Sequence, residues 1–119
     1  MEGYVVHTVD GIERRMFFGN YALENTLEHF GASVSDVGVL LNSKLLPMIR
    51  VFMYFGAEDQ LWKEEKKEPD FTQRDIHDWI DKSGGATGEL VVKVSKELFR
   101  CLGFKDAEES KQKKSRAEK

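Results

Sequence analysis

At 119 residues, with 40% hydrophobic and 33% charged side chains, the chain has the size and composition of one charge-rich globular domain. Its formal net charge of −3 argues against nucleic-acid binding by bulk electrostatics. The single cysteine, Cys101, excludes a disulfide framework within one chain. Flanked by Leu98, Phe99 and Leu102, it reads as a buried free thiol in a reducing compartment.

From the N-terminus, Tyr4–Val9 is β-branched and aromatic, and Ile12–Phe18 follows after Asp10-Gly11. Asp-Gly tolerates the positive φ values of a type I′ turn, so the pattern predicts a hairpin with strands over 3–9 and 12–18. The opening MEGYVVHTVDG lacks the basic start and long apolar core of a signal peptide. Asn20 is placed to cap a helix over 21–30, with Leu23, Leu27 and Phe30 on one face and Gly31 closing it. A second helix is predicted over 34–41, capped by Ser33 or Ser35. Its apolar face is Val34, Val37, Leu40 and Leu41, and Gly38 weakens it by about 1 kcal/mol relative to alanine.

Leu45–Phe55 is apolar at nine of eleven positions, interrupted only by Pro47 and Arg50. It is too short to span a bilayer, and the chain reads as cytoplasmic and soluble. As the first half of a helix over 44–66, capped by Ser43 with Pro47 in the first turn, it is apolar nearly all round and must be covered on several sides. One face is expected to be closed by a sister subunit or a client helix, with Phe52, Met53 and Phe55 not all buried by this chain. The second half, from Ala57 on, is charged except at Leu61 and Trp62.

Glu68-Pro69-Asp70 breaks this helix. Thr72 as N-cap, Asp75 three residues on, and Phe71 with Ile76 as a hydrophobic staple predict the next, whose buried face is Ile76, Trp79 and Ile80. Gly84-Gly85 ends it. A last helix over 88–103 carries Leu90, Val91, Val94, Leu98, Cys101 and Leu102 as one stripe, with Lys93, Lys96, Glu97 and Arg100 opposite. Residues 105–119 hold six Lys/Arg and four Asp/Glu, leaving 1–104 at a net −5, and read as a disordered charged tail. The predicted architecture is mainly α: an N-terminal β-hairpin followed by a bundle of about five helices in one domain over 1–104.

No residue constellation points to chemistry. His7, His29 and His77 fall on three elements without a metal-ligand spacing. Asp75, Asp78 and Asp81 read as charges favoured near a helix start. Gly84–Gly88 lacks the Gly-Lys-Ser/Thr ending of a phosphate loop and reads as an interhelix linker. The expectation is a protein that is not an enzyme, with no cofactor, no metal, and no nucleic-acid or membrane partner.

The order of elements and the runs Gly11–Asn20, Leu23-Glu24, Leu27-Glu28, Phe30-Gly31, Ile49–Phe55, Phe71–Asp81 and Glu89–Gly103 resemble the phage tail assembly chaperones, including relatives in gene transfer agents. The resemblance implies a bacteriophage protein of the siphophage type that binds the tape-measure protein. It would keep that client soluble in the host cytoplasm until tail-tube subunits polymerise, and be absent from the mature virion. It also implies a homo-oligomer, and a longer form, made by programmed frameshift, that recruits tail-tube protein. Candidate protein-binding residues are Phe52, Phe55, Trp62 and Phe99, each placed to fall off its helix's core stripe. The alternative is a structural head–tail connector or tail-completion protein retained in the particle. A nucleic-acid-binding regulator using the basic tail ranks third.

Overall fold

The structure, a computed structural model, describes residues 2–103; the predicted tail over 105–119 lies outside them. Two antiparallel strands, β1 (Tyr4–Val9) and β2 (Ile12–Phe17), lead into five α-helices: α1 (Asn20–His29), α2 (Val37–Ser43), α3 (Leu45–Glu65), α4 (Gln73–Lys82) and α5 (Glu89–Cys101). Short 3-10 turns over Val34–Asp36 and Gly85–Thr87 precede α2 and α5. The mainly helical architecture with an N-terminal hairpin is as the sequence predicts. Asp10 (φ +52°) and Gly11 (φ +77°) both adopt the positive φ of the expected turn, which fixes Val9 opposite Ile12 and Val5 opposite Met16.

The helix starts differ from the predictions in instructive ways. Asn20 is the first residue inside α1, not its cap; the cap position is Gly19, and the Asn20 amide reaches forward to Glu24 at 3.1 Å. Ser33 does open the next element, with a reciprocal Ser33/Asp36 capping box, but on a 3-10 turn that leaves Val34 68% exposed. The α2 core contribution reduces to Val37, with Leu40 and Leu41 half-buried. Ser43 does not cap α3: its hydroxyl donates back to the Val39 carbonyl at 2.8 Å, and Lys44 holds the cap position without a side-chain bond. Pro47 sits in the first turn of α3, where its missing N–H costs nothing. The full signal at α4 is realised: Asp75 N–H donates to Thr72 Oγ1 (3.2 Å), and Thr72 N–H to the Asp75 carboxylate (2.8 Å). Phe71 and Ile76 are both buried there, while Ile80 is half-buried.

α3 is the hub. It packs against β2, α1, α2, α4 and α5, and Met48, Ile49, Val51, Phe52 and Met53 are all 1% exposed or less. Of the three residues expected not all to be buried by this chain, Phe52 and Met53 are covered by the hairpin and the flanking helices, while Phe55 is only half-buried. Phe18 stacks on Phe52 with ring centroids 4.6 Å apart and planes 21° from parallel. This approach depends on Gly56, one turn along α3, because a Cβ there would lie 2.3 Å from Phe18 Cε1.

A polar clamp closes the far end of the hairpin. Phe18 N–H donates to the Gly3 carbonyl (2.7 Å), Gly3 N–H to Glu97 Oε1 (3.2 Å), and Arg100 Nη2 to the Phe18 carbonyl (2.7 Å). Arg100 Nε and Glu97 pair at 2.7 Å, so Glu97 and Arg100, expected on the solvent side of α5, instead hold the hairpin ends. Cys101 lies beside them, half-buried rather than buried, with burial pushing its thiol pKa up.

Gly56→Ala tests the aromatic stack. Alanine favours helix by about 1 kcal/mol, but overpacking against a fully buried ring costs about 1–3 kcal/mol. The substitution is expected to lower the denaturation midpoint. Adding Phe18→Leu should then cost less in the Gly56→Ala background than in the wild type, a coupling read by chemical denaturation of the four proteins.

Candidate protein-binding surface

The four predicted contact residues separate. Phe52 is a core residue, unavailable to a partner, because its ring is sandwiched beneath the hairpin. Phe99 is half-buried on α5. Phe55 and Trp62, seven residues apart, share one face of α3, and this face meets α1. The Tyr21 ring stands edge-on to Phe55 at 6.3 Å. Tyr54, Phe71 and Trp79 continue the aromatic contacts inward at 5.6 and 5.2 Å, ending under the Arg14 guanidinium, 4.7 Å from the Trp79 ring centre.

Trp62 is 49% exposed and lines a cleft of about 400 Å³ with Tyr21, Glu58, Asp59, Lys67 and Glu68. The Tyr21 hydroxyl donates to the Glu58 carboxylate; that bond, burial and the surrounding negative charge push the phenol pKa up to about 12. Phe55 is half-buried behind Tyr21, and the aromatic lining of the cleft is Trp62 and Tyr21. The rest of the lining is charged, which suits a polar partner better than an apolar helix.

A second concavity was not anticipated. α2 and α3 meet at a bend of 120°, and the first turn of α3 leaves Leu45 (38%) and Leu46 (50%) exposed, with Pro47 beside them. Leu46 and Pro47, together with Ile80 on α4 and Ala86 in the 3-10 turn, line a mainly apolar groove of about 300 Å³. Its polar lining is Arg50, His77 and Asp81. Arg50 Nη1 lies 2.9 Å from His77 Nε2. A guanidinium cannot accept, so in this contact it donates to the ring nitrogen. The signal for this groove lay in the opening Leu45-Leu46-Pro47: apolar residues ahead of a helix-starting proline, before the helix has neighbours on every side.

Among the described residues, no three His, Cys, Asp or Glu side chains come together in a way that could hold a metal ion. No single described helix is long and apolar enough to cross a membrane. No family model matches the chain, and no curated protein or solved structure matches it.

The Tyr21–Glu58 bond gives a pH signature. A phenol whose folded-state pKa is raised contributes stability below its ordinary pKa near 10, and that contribution is lost as pH rises through about 12. In an absorbance titration of tyrosinate, Tyr21→Phe is expected to remove a component titrating near 12, and Glu58→Gln to move it down toward the ordinary value.

Proposed function

We propose that this protein is a tail assembly chaperone that acts by burying the apolar face of a helical client, the tape-measure protein, without a cofactor and without catalysis. The observation that carries the reading is the apolar groove between the first turns of α3, helix α4 and the 3-10 turn before α5, open beside an exposed Leu46. An amphipathic helix lays residues at i, i+3, i+4 and i+7 into such a groove, and Arg50, His77 and Asp81 supply polar partners along the client's flanks. The element order and sequence runs that resemble the tail assembly chaperones supply the identity of the client. On the same reading the protein works in the host cytoplasm, self-associates, and is absent from the finished particle. A longer frameshifted form recruits tail-tube protein.

The groove is small, and only a few client side chains fit it at once. Affinity per chaperone copy is therefore modest, which suits a protein that tail-tube subunits must displace. Several copies along one extended client would restore solubility by avidity.

Leu46→Glu places a charge in the groove at a position exposed enough to leave the fold intact. Co-expressed with the tape-measure protein, it is expected to reduce co-purification by about tenfold, equivalent to ~1.4 kcal/mol, while Trp62→Ala has a smaller effect and both variants keep the wild-type melting curve. Undiminished co-purification by Leu46→Glu would sink the groove assignment. Mass spectrometry of purified particles tests the rest: a fixed copy number in the virion would favour a connector instead.

A further inference from the structure

The two edges of the hairpin are not equivalent. Phe18 N–H bonds the Gly3 carbonyl, so Gly3 and Phe18 are a hydrogen-bonded pair. Stepping along the register, Val5, His7 and Val9 direct their main-chain groups toward β2. Tyr4, Val6 and Thr8 direct theirs away, and among the described residues no other segment hydrogen-bonds those groups. The same three residues carry exposed side chains, Tyr4 at 41% and Val6 at 48%.

The β2 edge is guarded. It carries Glu13, Arg14 and Arg15, and α3 runs beside it, with Arg15 paired to Glu64 at 2.9 Å and Lys63 over the Phe17 ring at 3.7 Å. The β1 edge lacks three of the devices that normally block strand addition, with α5 meeting the strand beside its clamped N-terminal end. Tyr4–Val9 contains no Asp, Glu, Lys or Arg and no proline, and it pairs with β2 without a bulge.

We infer that β1 pairs antiparallel with β1 of a second copy of this chain, joining two hairpins into a four-stranded sheet. The occupant follows from self-complementarity. With the two-fold axis at Val6, Val6 faces the partner's Val6 and Tyr4 faces the partner's Thr8. All three outward-directed residues then find hydrogen-bonding partners, each facing pair exchanging two bonds. Charge points the same way. Residues 1–104 carry a net −5, so two copies repel over much of their surface, whereas Tyr4–Val9 holds no acidic or basic residue and opposes no like charges until Glu2 comes opposite the partner's Asp10 at its margins. A strand-to-strand contact of this length buries less than the roughly 1,200 Å² of a standard stable interface, so the dimer is reversible and concentration-dependent. The inference stands on the hairpin alone, so its failure leaves the client groove untouched.

The test is sedimentation equilibrium of the full chain from low micromolar to near-millimolar concentration. The wild type is expected to shift from monomer to dimer. Val6→Lys and Val6→Glu, each placing like charges on the axis, are expected to stay monomeric with unchanged circular dichroism. An equimolar mixture of the two should dimerise at least about tenfold more tightly than either alone, because only a register with Val6 on the axis brings the opposite charges face to face. In the wild type, amide exchange at Tyr4, Val6 and Thr8 should slow with rising concentration, while His7 stays protected throughout. A wild-type mass independent of concentration, dimerisation undiminished by Val6→Lys, a mixture that remains monomeric, or concentration-independent exchange at Val6 would each overturn the proposal.

Discussion

The stack of Phe18 on Phe52 is the contact on which the rest of this fold depends. A two-stranded hairpin is marginal in water, and a helix that is apolar nearly all round has too much surface to leave bare. Each answers the other's problem. The end of the hairpin drops an aromatic ring onto the middle of α3, and Gly56 removes the one Cβ that would hold them apart. The glycine weakens the helix locally in return for closer packing. With the hairpin covering one side of α3, α1, α2, α4 and α5 close the others. The chain can therefore bury a hub that its length first suggests it could not.

What the sequence made legible follows from how local each signal is. The Asp10-Gly11 turn and the Thr72/Asp75 capping box involve residues one to three apart, whose geometry is set by their own chemistry. Ser43 misled because a serine between two helices can serve either one; here it back-bonds to α2 rather than capping α3. Phe52 misled for a different reason. On a helix that is apolar all round, periodicity cannot say which face a neighbour takes, and only the hairpin's arrival decides that Phe52 lies inside and Leu46 outside. The roles of Gly56 and of Glu97 with Arg100 were not legible, since their partners lie dozens of residues away.

The two halves of α3 divide the surface as they divide the sequence. The apolar half is buried except at its first turn, where it opens a groove toward α4. The charged half runs beside β2, placing Glu64 and Lys63 against the strand and Trp62 over a charged cleft toward α1. One continuous helix thus presents an apolar recess at one end and a polar, aromatic-rimmed one at the other.

The clamp between the hairpin ends and α5 has a consequence for the order of events during synthesis. Gly3 and Phe18 leave the ribosome early, but the groups that hold them, Glu97 and Arg100, lie 94 and 82 residues further along. The hairpin can form within microseconds of emerging, yet its ends stay unfastened until α5 is made. Closing so long a loop makes this a late step in folding. Until then the nascent chain carries a hairpin with one uncharged edge and an incompletely covered aromatic face, and that interval is when it is most exposed to strand addition by another chain.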